Sequence, residues 1–203
     1  MRGHLAEHGV IAPQGVANLK ALSDLIEDEA TKLDLMVVEM GRLYLEQIEG
    51  LSTKIGNLEK ALRNEAAHAT TTARLLTMPG IGPITAMAIE TFAPSMGTFK
   101  RGRDFAAWLG LVPVQHSSGG KQVLGRTSKM GQRDIRRLLI TGAMTVIRWA
   151  SRKGVPEGSW LARMLPRKPR MLVAVALANK MTRSAWAMLT KNENYRDPEP
   201  LAA

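Results

Sequence analysis

Leu75–Glu90 reads LLTMPGIGPITAMAIE, and its interpretation decides the fold. Pro79 disfavours helical geometry at the residue before it and so closes a first helix. Gly80 and Gly82 tolerate positive φ and leave the turn backbone without side-chain cover. Pro83 stands where a second helix starts, since its missing N–H costs nothing at the first helical position. Leu75, Leu76, Ile81, Ile84, Met87 and Ile89 make both flanking segments amphipathic, as a packed helical hairpin requires. Two readings follow. The segment is a tight interhelical turn, or it is a helix-hairpin-helix motif in which the amides of Gly80, Ile81 and Gly82 hold a phosphate at a helix N-terminus. The charge around it favours the second.

That charge is unevenly spread. The 203 residues carry a formal net charge of +10. Ala17–Glu65 holds 6 Lys/Arg against 10 Asp/Glu, whereas Ala66 to the end holds 21 against 7. An acidic spacer joined to a polyanion-binding module has this asymmetry. Between Lys100 and Arg137, nine cations (Lys100, Arg101, Arg103, Lys121, Arg126, Lys129, Arg133, Arg136 and Arg137) face only Asp104 and Asp134. These nine are the candidate nucleic-acid-binding side chains. The length suits one ordinary domain plus an appendage. The chain has no cysteine, which excludes disulfides and thiolate metal sites and fits a reducing compartment. No signal peptide opens it, and Asn179, Lys180 and Arg183 interrupt its most apolar run, Met171–Leu189, so no membrane span is expected. The expected setting is the cytoplasm.

Upstream of the hairpin, Val16–Arg74 contains no proline and reads as helical throughout. Leu33, Val37, Met40 and Tyr44, then Ile48, Leu51, Ile55, Leu58 and Leu62, step by three and four, with one extra step of four at Tyr44–Ile48. Leu19, Leu22 and Ile26 belong to an earlier helix joined near Asp28–Lys32. The stripe fits a coiled coil that would make the chain a homo-oligomer, or an intrachain helical hairpin. Met1–Gly15 is a short helix-like piece ending at Gly9 and a Pro-Gln-Gly turn. Downstream, Phe105–Leu111 reads as a short helix, and Val114–Met130 as a polar glycine-rich loop with at most a short hairpin around Gln122–Leu124. Gln132–Arg152 reads as a helix with Ile135, Leu138, Leu139, Ala143, Val146 and Ile147 inward and Arg133, Arg136, Arg137, Arg148 and Arg152 outward. Another helix begins near Ser159, the last spans Arg170–Lys191, and 197–203 is an expected disordered tail.

The loop carries His116-Ser117-Ser118-Gly119-Gly120-Lys121. A serine hydroxyl is a weak nucleophile until its proton is taken or its hold weakened. His116 is adjacent, and Lys121, Arg126 and Lys129 would stabilise a pentavalent phosphate. No Ser-His-Asp arrangement is visible. By residue type alone the loop reads more readily as a flexible segment that binds phosphate through its N–H groups than as a catalytic one. No metal site is expected, because Glu90, Asp104, Asp134 and Glu157 show no ligand spacing.

LLTMPGIGPITAMAI, then FKRGRDFAAWLGLVPVQHSSGGKQVLGRTSKMGQRDIRRLLITGA, closely resembles the C-terminal domain of DEDD-type bacterial insertion-sequence transposases, the recombinases associated with a guiding bridge RNA. A-W-L-G-L-V-P-x-x-x-S-S-G-G-K, G-R-x-S-K-x-G and R-R-L-L carry the resemblance, which covers nearly all of Leu75–Arg196. MRGHLAEHGVIAPQG resembles the last helix of that family's RuvC-like domain. The resemblance implies a composite active site. An acidic tetrad holding Mg2+ on the RuvC-like domain activates DNA, and a serine of the C-terminal domain attacks phosphorus. The serine maps onto Ser118, with Ser117 as the alternative. The acidic tetrad has no counterpart here, so Mg2+ is expected on an N-terminal domain absent from this chain, and strand cleavage by the chain alone is not expected.

The expected fold is mainly α: residues 1–15 a remnant helix, 16–74 a coiled-coil or helical-hairpin arm, and 75–196 a compact helical domain with a helix-hairpin-helix motif. The expected function is DNA binding and transposition, with a guide RNA as a further partner. The alternative is a nucleic-acid-binding module with no covalent step, and a helical assembly protein stands third.

Overall fold

The computed structural model describes residues 1–120 and 123–197, which fall into two compact units, Met1–Ala61 and Leu62–Ala203. Lys121, Gln122 and 198–203 lie outside the described residues. The fold is mainly α, as the periodicity requires.

The first unit contains α1 (Arg2–Glu7), α2 (Leu19–Glu27) and the larger part of α3 (Leu35–His68). The earlier helix carrying Leu19, Leu22 and Ile26 is joined to α3 through Asp28–Asp34, where a joint near Asp28–Lys32 was expected. The chain leaves helical geometry at Asp28, whose side chain accepts from the Ala30 amide, and Lys32 is left-handed at φ 47°. Carboxylate side chains compete for backbone donors in this way and favour turns over helix interiors. Leu5, Leu22, Ile26 and Val37 form a small core. Gly41 lets α3 approach α2: a Cβ there would stand 2.9 Å from Ile26 Cδ1. Arg42 clamps Glu27 through Nε at 2.7 Å, which holds the Glu27 carboxyl below its usual range and raises the guanidinium. Leu33 precedes α3, and α3 runs unbroken through the Tyr44–Ile48 step.

The second unit contains α4 (Thr70–Leu76), α5 (Pro83–Phe92), α6 (Gly102–Trp108), β1 (Pro113–Gln115), β2 (Leu124–Thr127), α7 (Arg133–Lys153), α8 (Trp160–Met164) and α9 (Arg170–Lys191). Helix α9 packs against α4, α6 and α7. Its Val173, Ala174, Ala178 and Ala185 are fully buried, small enough to admit three neighbours. Around them close Leu75, Ile89, Phe105, Leu109, Ile135 and Leu139. The two fully buried hydroxyls are satisfied: Thr182 donates to the Ala178 carbonyl at 2.8 Å, and Thr72 to the Ala66 carbonyl at 2.6 Å. An unpaired hydroxyl there would cost its full desolvation.

Candidate nucleic-acid interface

The Pro79–Pro83 turn is a packing device as much as a surface. Gly80 sits at φ 88°, and a Cβ on it would reach within 2.9 Å of the Gly142 carbonyl on α7. The Ile81 side chain is buried, and its amide donates to the Met78 carbonyl at 3.1 Å. Its N–H is therefore engaged within the turn, contrary to the expected row of bare amides. Gly82 is extended (φ −99°, ψ 175°) and caps α5 through its carbonyl, which accepts from Ala86 at 2.9 Å. Open space lies over its Cα. The unclaimed donors at this end of α5 are those of Gly82, the exposed Ile84 and the buried Thr85, since Pro83 has none.

The glycine-rich segment is a built hairpin. β1 and β2 pair antiparallel, Pro113 opposite Thr127 and Gln115 opposite Leu124, with an irregularity between the two pairs. The sequence expected at most a strand pair near Gln122–Leu124. The strand instead runs on to Thr127, and its partner begins at Pro113. Four hydrogen bonds fix the stem. Ser128 donates to the Val112 carbonyl at 2.8 Å, and Lys129 to the Gly110 carbonyl at 3.1 Å. Arg136 Nη1 donates to the Leu109 carbonyl at 2.9 Å, and Asn179 Nδ2 on α9 to the Leu111 carbonyl at 3.0 Å. Gly131 makes the closure possible, because a Cβ on it would fall 1.9 Å from the Trp108 carbonyl. Arg136 is thus half-buried and committed to the stem, not outward as helical spacing implied.

The two serines differ. Ser117 Oγ donates to Gln115 Oε1 and accepts from the Val123 amide, both at 3.2 Å. Ser118 is exposed, and its hydroxyl makes no hydrogen bond with another described residue. Gly119 and Gly120 continue the loop at φ 56° and 82°. The His116 ring lies over Gly125 across the hairpin, where a Cβ would meet it at 2.6 Å. Gln115 and Asn179 escaped sequence reasoning. Gln115 carried no signal, and Asn179 registered only as an interruption of an apolar run.

The cations fall into two kinds. Arg126, Lys129, Arg133 and Arg137 are exposed, and none forms an ion pair among the described residues. Arg133 and Arg137 stand one turn apart on α7, and Lys129 is left-handed at φ 54°. Arg101 instead faces Asp104 at 3.5 Å, which also accepts from the Arg101 amide and caps α6. Lys100 and Arg103 are exposed beside it. Lys121 lies outside the described residues. Among those described, no three His, Cys, Asp or Glu converge as metal ligands, and no helix is long and apolar enough to cross a membrane.

Residues 72–155, spanning the turn, the hairpin and all of α7, match the Transposase IS116/IS110/IS902 family. Over 97% of its length the chain is 40% identical to a probable family 20 transposase of Pseudomonas aeruginosa, of which it covers 59%. It is 35% identical over 94% of its length to the transposase for insertion sequence element IS1328 of Yersinia enterocolitica, covering 57%. It is 32% identical over 97% of its length to that for IS1111A of Coxiella burnetii, covering 54%. The chain is related to insertion-sequence transposases along nearly its whole length, and spans a little over half the length of these relatives.

Proposed function

We propose, from this kinship, that the chain is the C-terminal, DNA-binding part of a transposase that supplies Ser118 as nucleophile to a composite active site. The observation that carries the reading is the contrast within the loop. The Ser117 hydroxyl is tied to Gln115 and Val123, while Ser118 stands exposed beyond a stem anchored by Arg136 and Asn179. A nucleophile must be both accessible and held in place. Ser118 Oγ gives up its proton and forms a bond to the scissile phosphorus, the bond from phosphorus to the sugar oxygen breaks, that oxygen takes up a proton, and a phosphoserine ester joins protein to DNA. Arg126 and Lys129, on and just after β2, supply positive charge beside the developing phosphorane.

Backbone phosphates are held by Lys100, Arg103, Arg133 and Arg137, by Lys121, and by the free amides of Gly82 and Ile84. Such contacts position the protein without reading bases. The described residues do not fit a divalent cation, so no step here runs through one. Mg2+ belongs to the acidic domain that the resemblance implies. A guide RNA and self-association through the α3 stripe complete the proposal.

The test is a denaturing gel for a covalent protein–DNA adduct, using element-end DNA, Mg2+ and the chain in its full-length transposase context. Loss of the adduct in Ser118→Ala but not Ser117→Ala supports the assignment. An adduct that persists in both variants overturns it and leaves a nucleic-acid-binding module.

A further inference from the structure

One large aromatic side chain on the second unit has no packing role that explains it. Trp149, on the last two turns of α7, is 57% exposed. The other three tryptophans, Trp108, Trp160 and Trp186, pack against the core of the second unit. Lys153, one turn on, places Nζ 4.6 Å over the Trp149 ring. Arg148 adjoins it in sequence and Arg152 lies three residues on, and both are exposed and outside any ion pair among the described residues. The buried face of α7 is already used up by Ile135, Leu139, Ala143 and Ile147.

We infer that Trp149 is a stacking platform for an unpaired base of single-stranded DNA, with Arg148 and Arg152 on the flanking phosphates and Lys153 fixing the ring. Every base has a π-face, so an aromatic ring set among cations binds single strands with little regard to sequence. A duplex keeps its base faces stacked on one another and offers this ring a face only at its two ends. A bilayer is a poor occupant too, because interfacial helices bury a continuous apolar face, and here that face is in the core. Arg133 and Arg137 stand on the same solvent side of α7 toward its other end, Arg133 about 28 Å from Arg152 at 1.5 Å per residue, with no cation between Arg137 and Arg148. The relatives are transposases, proteins that act on DNA, and DNA is therefore the strand proposed. The inference rests on the DNA-binding reading and adds to it a second surface and a second form of DNA.

The test is fluorescence anisotropy of the chain with labelled oligothymidylate, a blunt duplex and oligouridylate of matched length at one salt concentration. Trp149→Ala is expected to weaken oligothymidylate binding about tenfold, within the range for losing one base-stacking aromatic, and to leave duplex binding within about twofold. Trp149→Phe should restore most of the loss. Far-UV circular dichroism verifies the fold. An unchanged oligothymidylate affinity, an equal loss on duplex, or a larger Trp149-dependent effect on oligouridylate would overturn the inference. If duplex binding stays sensitive to Arg137→Ala while Trp149 proves silent, only this inference falls. If the wild-type chain binds neither DNA, the proposed function falls with it.

Discussion

Gly142 on α7 lies directly against Gly80 in the α4–α5 turn, so closely that a Cβ on Gly142 would stand 1.9 Å from the Gly80 carbonyl oxygen. The turn and the long helix therefore meet backbone to backbone, and neither partner can yield by rotating a side chain. Gly142→Ala should cost about 3 kcal/mol, at the upper end of ordinary overpacking. Gly80→Ala should cost at least as much, since φ 88° adds backbone strain. Urea unfolding followed by circular dichroism measures both. A Gly142→Ala chain as stable as wild type would mean that α7 does not close on the turn.

The hairpin stem makes a second prediction. Asn179 reaches the Leu111 carbonyl from α9, and Arg136 reaches the Leu109 carbonyl from α7. Both bonds are partly buried. Asn179→Ala should cost about 1 kcal/mol and Arg136→Met about 2 kcal/mol, the ordinary worth of a neutral and a charged hydrogen bond. The loss should be local, with faster hydrogen exchange at the Ser128 and Lys129 amides and easier proteolysis between β1 and β2. Exchange that accelerates uniformly across α7 and α9 instead would show that these residues support the core and not the hairpin.

These two features mark where the sequence was legible and where it was not. Helices with a buried face announce themselves: α9 coincides with the expected Arg170–Lys191, and α7 falls within one residue of the expected span. β1 is three exposed residues, and β2 has only Gly125 and Thr127 partly covered, too short an alternation to detect. Their partners are distant besides, with Asn179 lying 68 residues from Leu111. Arg136 failed for the same reason. Helical spacing put it near the edge of the exposed face, and only the position of the α6 C-terminus drew it inward. The Ile81 amide was lost to a turn bond that no residue pattern reveals. The serine loop was found through its composition and a family resemblance, but not the hydrogen bonds that separate Ser117 from Ser118.

Arginines already paired should matter less to DNA binding than free ones. Removing a cation that neutralises one phosphate lowers the slope of log K against log salt by about 0.9. Arg133→Ala and Arg137→Ala, both exposed and outside any ion pair among the described residues, should each remove about that much. Arg101→Ala, which gives up a pair with Asp104 at 3.5 Å, should remove distinctly less than Arg103→Ala. Anisotropy titrations over a salt series read the slopes. Identical slopes for all four variants would refute the distinction.

Tyr195 offers a pH prediction. Its phenol is pushed up to about 12, first by burial, then by the charge of Asp197 and by the hydrogen bond it donates to that carboxylate at 3.2 Å. Its amide meanwhile donates to Thr77 Oγ at 2.9 Å, tying the C-terminal segment to the end of α4. An unfolded tyrosine ionises near 10. The folded value is raised, so the contribution to stability is complete below about pH 10 and is lost as pH rises toward about 12. Near-ultraviolet titration of the native chain should show one of its two tyrosines ionising late. Asp197→Asn should bring that phenol part of the way back, because burial remains. Two phenols titrating together near 10 would show that Tyr195 is not docked.

The middle of α3 makes the last prediction. Leu51, Ile55 and Leu58 are between 56% and 65% exposed, and with Leu62 they follow one stripe at steps of four, three and four. A solvent-facing stripe of this length on a single helix has little to hold it helical in isolation, since most helical stability comes from packing an apolar face. A second α3 laid along it would bury the stripe at a spacing suited to knobs-into-holes packing. Sedimentation velocity should therefore find the chain self-associated, with mass falling on dilution. Leu51→Glu combined with Leu58→Glu should yield a monomer whose α3 amides exchange rapidly from Glu49 onward, while α7 and α9 keep their protection. A wild-type chain that stays monomeric at high concentration, with α3 nonetheless protected, would rule out self-association through this stripe and require a different partner for it.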